Sequence, residues 1–310
     1  MSRQTAVSAT VGAFCILTAA VVSPARADEL FIGWTYGDES HIVWYDTETS
    51  SSNTTLVGNQ QGYMRDINVD PVGRMYWAAH PTILASYVHS ANRNGSDVQT
   101  VISQGGGDWI GSVALDKTHG YLYYSGAVKL PDQYYGVVRT DLDGSNPLVI
   151  TDTNWDRPVY DVAVDESAGK VYMAYDNETM LRCNLDGSGL ETVLTDLNHV
   201  RHIELDPARG LMYLIEVPEI TVAPMDGSAA PQTVLSGMDP QCLSLAPGGN
   251  TIYFGNDDDN YIYRMNRDGT GVTAITRVYE PVALDVIPEP ASAALFCAAL
   301  TFLYRRRKNT

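Results

Sequence analysis

Aromatic and charged side chains collect in the short loops that come before six predicted strands. They are Asp108, Trp109, Trp155, Asp156, Arg157, His199 and Tyr279. An aromatic ring can stack on the face of a sugar while neighbouring carboxylates hydrogen-bond its hydroxyls. If the loops lie together, these residues form a ligand-binding surface. The alternative is that they only seal the junctions between neighbouring structural units.

Two further groups have side chains that bind metals. The run from Asn256 to Asn260 places Asp257, Asp258 and Asp259 together, and such oxygen-rich loops can ligate calcium. A polar hairpin loop has the same composition. His199 and His202 have a His-x-x-His spacing, but no second cluster completes a zinc site, which favours structural histidines.

The elements that position these residues are short strands in a repeat. From Val159 to Thr195, four apolar runs are separated by turn sequences, as in a four-stranded antiparallel meander. The residue ending the first strand recurs at intervals of 39 to 49 residues. We align it as Asp70, Asp116, Asp165, Asp206, Ala246 and Asp285. A four-strand unit of this period is typical of a β-propeller blade.

The number of blades follows from the two ends of the repeat region. Residues 30–57 provide three strands without an innermost one, whereas 281–286 is a lone innermost strand. Joining them closes a ring of six blades and removes exposed sheet edges. We therefore predict an all-β, six-bladed propeller over residues 28–286.

Small or polar side chains are predicted to line the central channel. Side chains alternate along a strand, so one face of each innermost strand turns to the axis. The residues assigned to it are Asn68, Ala114, Ala163, Glu204, Ser244 and Ala283. Asp-Gly-Ser turns, such as Asp186-Gly187-Ser188, recur between the third and fourth strands, and glycine there supplies a positive φ.

These motifs resemble the YWTD propeller, the class B repeat of the low-density lipoprotein receptor. The resemblance rests on the strand-ending aspartates, the Asp-Gly-Ser turns and aromatic second strands such as Met75-Tyr76-Trp77. It implies a six-bladed binding domain. Six-bladed propellers also include metal-dependent lactonases and lyases, and for that alternative Glu204, Asn68 and Asp161 are the channel residues that could hold a cation. No Gly-x-Ser-x-Gly, His-Glu-x-x-His or Walker motif is present in the sequence.

The two ends of the chain read as targeting segments. Residues 1–27 combine an early arginine, an apolar run and Ala25-Arg26-Ala27, as in a secretory signal peptide. Residues 287–310 contain an apolar stretch at about 291–304, which as a helix is shorter than the hydrocarbon core of a bilayer. The flanking motifs are Pro288, Glu289, Pro290, Arg305, Arg306 and Arg307. This segment resembles the bacterial PEP-CTERM sorting signal, which implies a transmembrane helix, processing by an exosortase, and a final location at the cell surface or outside the cell.

Charge and cysteine content fit an exported domain. Six of the 20 basic side chains and none of the 37 acidic ones lie in 1–27 and 305–310, so residues 28–304 carry a formal charge of −23. That charge repels nucleic acid. Cys183 and Cys242 fall on different blades and are predicted to be buried, unpaired thiols. We expect an exported binding module without a cofactor, except calcium if Asp257–Asp259 bind it, and with an exopolysaccharide or an envelope protein as partner.

Overall fold

The computed structural model describes residues 28–288, except 38, 50–53, 71–72, 83–84, 106–108, 131, 153–157, 177 and 249. The predicted signal peptide and the sorting segment from Glu289 onward lie outside the described residues. Where the structure describes the chain, no helix is long and apolar enough to cross a membrane.

The described chain forms six antiparallel sheets of four strands each. The innermost strands are β24 (Pro281–Pro288), β4 (Tyr63–Val69), β8 (Ile110–Asp116), β12 (Val159–Asp165), β16 (Val200–Asp206) and β20 (Pro240–Leu245). The second strands are β1 (Asp28–Tyr36), β5 (Arg74–Thr82), β9 (Tyr121–Leu130), β13 (Lys170–Tyr175), β17 (Leu211–Glu216) and β21 (Thr251–Asn256). The third strands are β2 (Glu39–Asp46), β6 (Ala85–Asn92), β10 (Asp132–Asp141), β14 (Thr179–Asn184), β18 (Glu219–Pro224) and β22 (Tyr261–Asn266). The outermost strands are β3 (Thr54–Gln61), β7 (Gln99–Gly105), β11 (Leu148–Asp152), β15 (Glu191–Leu194), β19 (Gln232–Leu235) and β23 (Thr273–Arg277).

The ring closes by pairing the two ends of the domain. Strand β24 pairs with β1 from Asp28 opposite Pro288 to Trp34 opposite Pro281, and it completes the sheet β24-β1-β2-β3. We call this sheet the closing blade. Strand β24 also contacts both β20 and β4, the innermost strands of the neighbouring blades. The predicted six-bladed propeller is confirmed, and its last strand continues two residues beyond Val286.

The hydrophobic core is divided among the six interfaces between blades. Each described cluster contains residues from two adjacent blades. One cluster, between the closing blade and the next, packs Phe31 against Ile67 and Trp77. Both faces of each blade are covered, so second strands such as Met75–Ala79 are buried throughout and read as continuous apolar runs.

In five of the six blades, a glycine in the turn between the third and fourth strands docks the blade on the outermost strand of the preceding blade; these glycines are Gly95, Gly144, Gly187, Gly227 and Gly269. Asp186 Oδ1 accepts the backbone N–H of Ser188 at 3.0 Å, and Gly187 has a φ of +84°. A Cβ on Gly187 would lie 2.0 Å from the carbonyl oxygen of Ile150 on β11. Glycine is therefore required at this position both by the turn and by the neighbouring blade.

The structure corrects the alignment of the closing strand by two residues. Tyr253 on a second strand pairs with Ser244, and the corresponding aromatic residue of the closing blade, Phe31, pairs with Asp285. Asp285 therefore occupies the channel-facing position that the sequence assigned to Ala283. The error arose because the closing blade has no turn between β24 and β1 from which to count.

Candidate functional site

A β-bulge near the start of every innermost strand shapes one end of the channel. In each blade the pairing between first and second strands skips a residue at this point. The six bulge residues are Arg65, Gly111, Tyr160, Arg201, Gln241 and Val282. A bulge re-aims its side chain, and all six residues line one funnel, which we call the mouth.

Below the mouth, side chains of the innermost strands tie neighbouring blades together. Asp66 Oδ2 accepts the N–H of Val113 at 3.0 Å, and Asp161 Oδ2 accepts that of Ile203 at 2.6 Å. The remaining junctions also carry a side-chain link; the Cys242 thiol donates to a backbone carbonyl, and the other side chains accept a backbone N–H. These links are Ser112 with Val162, Glu204 with Leu245, Cys242 with Pro281, and Asp285 with Val69. The ring is thus bonded at all six interfaces along its axis.

Four of these linking residues are carboxylic acids close to one another. Burial, followed by the charge of Asp161, raises the pKa of Asp66 well above its usual value. Burial also raises the pKa values of Asp161 and Asp285. For Glu204, burial and then the charge of Asp285 raise the pKa to about 8. The channel therefore favours neutral carboxyl groups because few of their charges are balanced there.

The mouth is a funnel of about 370 Å³ with an aromatic wall. The ring centroids of Trp109 and Tyr160 lie 5.6 Å apart at an interplanar angle of 69°. A Cβ on Gly111 would come within 2.9 Å of the Trp109 indole, so the absence of a side chain at that bulge makes room for the indole. The volume is in the range of pockets that hold small ligands.

His80 supports the indole from below. Its Nε2 contacts the carbonyl oxygen of Ile110, and its Nδ1 lies 3.0 Å from the Ser86 hydroxyl. Burial lowers the pKa of His80 to about 4, so its imidazole is neutral at physiological pH. The His80 and Trp109 ring centroids are 6.1 Å apart. His80 therefore holds the wall of the mouth without adding charge.

Both arginines of the bulge positions are exposed at the mouth. Arg65 lies on β4 and Arg201 on β16, and these strands are three blades apart in a ring of six. The two guanidinium groups therefore stand on opposite sides of the axis. Partial burial and then the charge of Arg201 lower the pKa of Arg65.

The predicted site residues divide into three groups. Trp109 and His199 line the mouth. Tyr279 does not line it; its ring packs edge-on against Tyr36 at a centroid distance of 5.1 Å. Asp108, Trp155, Asp156 and Arg157 lie outside the described residues.

The exposed tyrosine pair is tied to the edge of the mouth through the backbone. Thr35 donates its N–H to the carbonyl of Glu280 at 3.4 Å, and its hydroxyl accepts the N–H of Met64 at 3.4 Å. These bonds join the segments that carry Tyr36, Tyr279 and Tyr63. All three tyrosines are exposed, and Tyr63 lines the mouth.

The sequence analysis missed Arg65, Arg201 and Tyr160 because they belong to strands and not to loops. Strict alternation assigns a residue next to Asp66 or Asp161 to the opposite face of the strand. The bulge turns both members of each adjacent pair towards the axis. The available signal was a large polar or aromatic residue five positions before four of the strand-ending residues, namely Arg65, Tyr160, Arg201 and Gln241.

The aspartate run in the β21–β22 hairpin is used within its own loop. Burial opposes ionisation of Asp259, but hydrogen bonds from Tyr263 and Asn256 outweigh it and lower its pKa. Asp257 and Asp258 are exposed. Within the described part of the chain, no three His, Cys, Asp or Glu residues are arranged to hold a metal ion.

The channel residues named for a metal-dependent enzyme are also engaged elsewhere. Glu204 Oε1 accepts the N–H of Leu245 at 3.1 Å, and both Asp161 oxygens accept backbone N–H groups. Asn68 donates to the carbonyl of Val113 at 3.3 Å. The three side chains bond separate strands, and all three line the same cavity in the channel.

Comparison with known proteins supports the fold. No family model matches the chain. Low-density lipoprotein receptor-related protein 5 of Mus musculus is 27% identical over 191 residues, which cover 60% of this chain and 11% of that protein. This chain therefore spans only a small part of that relative's length.

Two solved structures have the same architecture at low sequence identity. A chain of the nidogen/laminin complex aligns with a TM-score of 0.67 and 14% identity, covering 84% of this chain and 98% of that one. TolB from Acinetobacter baumannii aligns with a TM-score of 0.66 and 10% identity, covering 85% of this chain and 67% of that one. Both alignments support the propeller fold.

Proposed function

We propose that this protein is an exported binding module of the cell surface and that its ligand contacts the mouth. The observation that carries the proposal is that side chains at two levels of the channel have different roles. Channel carboxylates such as Asp66 and Asp161 accept backbone N–H groups and link the blades. The aromatic and cationic side chains of the mouth instead face an open funnel.

The similar proteins are consistent with a binding role. One is receptor-related by name, and another belongs to a complex between nidogen and laminin. A propeller fold alone does not fix a function, whereas the side chains of the mouth favour a particular class of ligand. Its aromatic wall and small volume fit an exopolysaccharide better than the flat surface of an envelope protein.

A glycan array probed with the full-length protein tests this proposal. We expect binding that is lost in Trp109→Ala and retained in Trp44→Ala. Trp44 is a matched control because its ring is partly buried on β2 against the core and does not line the mouth. Equal binding by the wild type and Trp109→Ala would place the ligand elsewhere and overturn the assignment of the mouth.

The alternative function, a metal-dependent lactonase or lyase, leads to a different expected result. It requires a divalent ion that stays with the purified protein and is lost in Glu204→Gln. Metal analysis of both proteins separates the two functions. The binding module requires no such stoichiometric ion.

Export and sorting follow from the ends of the sequence. The signal peptide would direct residues 28–310 across the inner membrane, and the arginine cluster would keep the last residues on the cytoplasmic side. An exosortase would then process the chain near Pro288-Glu289-Pro290 and release the propeller to the surface. Comparison of the precursor and mature masses tests both cleavages, and a mature form that retains residues 291–310 would contradict the sorting step.

A further inference from the structure

We propose that the mouth recognises a hexuronic acid at the end or branch of a polysaccharide, with its carboxylate between Arg65 and Arg201. The inference rests on the proposed function, because it specifies the ligand of the same funnel. It is carried by the arginine pair, the acceptors on the floor and the aromatic wall.

Among the residues that the structure describes, no acidic side chain forms an ion pair with either arginine. Arg65 makes no hydrogen bond or ion pair with any residue in the described part of the chain. Arg201 contacts only the neutral side chain of Gln241 there. Two cations facing each other across an axis repel, and an anion placed between them relieves that repulsion. Guanidinium groups also bind carboxylates with two parallel hydrogen bonds.

The floor of the funnel supplies hydrogen-bond acceptors. Asp66 and Asp161 are buried beneath the bulge residues, and each accepts two backbone N–H groups. Even as a neutral carboxyl group, each side chain keeps a carbonyl oxygen with two lone pairs, one of which can accept a further bond from a hydroxyl. The pocket thus places cations at its rim and acceptors at its base.

A hexuronic acid matches this arrangement at both ends. Its carboxylate suits the arginines, its hydroxyls can donate to the floor, and its ring can stack on Trp109 or Tyr160. An acidic peptide provides the carboxylate but lacks a ring of hydroxyl donors. The aromatic wall and the acceptor floor therefore favour the sugar.

The overall charge of the domain restricts the size of the anion. A formal charge of −23 over residues 28–304 repels a long polyanion lying along the surface. At physiological salt, charges more than about 8 Å away are largely screened, so the arginine pair dominates inside the funnel. A single acidic residue at a chain end or branch satisfies both conditions.

Calorimetric titration of the full-length protein tests the inference. The probe is xylotriose carrying one glucuronic acid, compared with unsubstituted xylotriose and with a triglutamate peptide. We expect the glucuronosyl sugar to bind and the other two to bind at least tenfold more weakly, because a charge-assisted contact is lost or the ring contacts are absent.

Charge-removing variants locate the carboxylate. Arg65→Gln and Arg201→Gln should each weaken binding of the acidic sugar roughly tenfold or more. Arg264→Gln removes the same charge from an exposed position on β22 outside the mouth and should bind like the wild type. Equal melting temperatures would show that the variants remain folded.

Three outcomes would overturn the inference. Equal affinity for xylotriose and its glucuronosyl form would remove the role of the arginines, yet would leave the mouth as a sugar site if Trp109→Ala still abolished binding. Tighter binding of triglutamate would indicate an acidic peptide instead. Failure to bind the acidic sugar would exclude this ligand class, while the glycan array would still decide separately whether the mouth binds glycans.

Discussion

The carboxylate of Asp285 accepts the backbone N–H of Val69 at 2.6 Å, although the two residues are 216 positions apart in the sequence. Asp285 lies on the strand that closes the ring, and Val69 lies on the innermost strand of the next blade. The same kind of bond joins Asp66 to Val113 and Asp161 to Ile203. The closing blade is therefore held both by strand pairing and by a side-chain hydrogen bond to the innermost strand of the neighbouring blade.

Removing this link should destabilise the propeller. Asp285→Ala leaves the Val69 N–H without its acceptor, at a cost of about 1–3 kcal/mol. For a domain of this size we expect the melting temperature to fall by about 2–8 °C. Thermal unfolding followed by circular dichroism measures the change.

Asp285→Asn is the matched control for that substitution. Its amide oxygen can still accept the Val69 N–H, whereas its amide nitrogen replaces the oxygen that accepts the Val286 N–H at 2.7 Å. We expect it to be more stable than Asp285→Ala at neutral pH, because the bond between the blades is kept. An alanine variant as stable as the asparagine variant would show that the bond contributes nothing to closure.

Glu204 should make the propeller less stable as the pH rises. Its pKa is about 8 in the folded protein and near 4.5 in an unfolded chain, so the folded state binds more protons between these values. Stability is therefore greatest below about pH 4.5 for this group and falls as the pH rises to about 8. Asp66, Asp161 and Asp285 act in the same direction because burial raises their pKa values as well.

Glu204→Gln isolates this contribution. Glutamine can accept the Leu245 N–H but does not ionise. The free energy of unfolding of the variant should therefore fall less steeply with rising pH, and the variant should be more stable than the wild type above pH 8. Urea denaturation at a series of pH values measures the free energy of unfolding. Parallel curves for the two proteins would mean that Glu204 ionises as freely in the folded protein as in the unfolded one.

The fold was predictable because it repeats local signals. Each Asp-Gly-Ser turn and each aromatic second strand identifies a blade, and the unmatched strands at the two ends indicate closure. The position of Asp285 was not predictable in this way, since its partner strand comes from the other end of the domain. Ala283 was assigned to the position that Asp285 occupies, because no turn joins β24 to β1 and the register of the two strands could not be counted from one.

The mouth was only partly predictable, for a different physical reason. Trp109 was named because a large aromatic in a loop stands out, and its place in the funnel depends on the absence of a side chain at Gly111. Arg65 and Arg201 are brought to face each other by a bulge and by the sixfold arrangement. Alternation along one strand contains neither kind of information.

Two glycines separate the cost of a positive φ from the cost of a clash. Gly187 and Gly210 have φ values of +84° and +66°, but an added Cβ meets the Ile150 carbonyl at 2.0 Å only at Gly187. Gly210→Ala should cost about 1–2 kcal/mol from backbone conformation alone. Gly187→Ala should cost about 2–5 kcal/mol, because the clash of the new Cβ with the Ile150 carbonyl adds to the cost of the backbone conformation. Denaturant unfolding of the two variants provides the comparison, and equal losses would contradict the proposed docking of the turn on β11.

Within the part of the chain that the structure describes, Cys183 and Cys242 are free cysteines that can report where the ring opens. Both are buried, and burial raises the pKa of Cys183 to about 11 and that of Cys242 to about 12, so neither thiol should react in the native protein. Cys242 lies beside the closing strand, with its sulfur 3.7 Å from the carbonyl oxygen of Pro281, whereas Cys183 lies on β14 in a blade away from the closure.

Opening at the closing blade should therefore expose Cys242 first. In Asp285→Ala we expect iodoacetamide to modify Cys242 faster than Cys183, as measured by mass spectrometry of the digested protein. The wild type and Asp285→Asn should react slowly at both thiols, because modification by iodoacetamide then requires unfolding of the whole ring. Equal acceleration at both cysteines in Asp285→Ala would show that the six blades unfold together and that the closure is not the weakest interface.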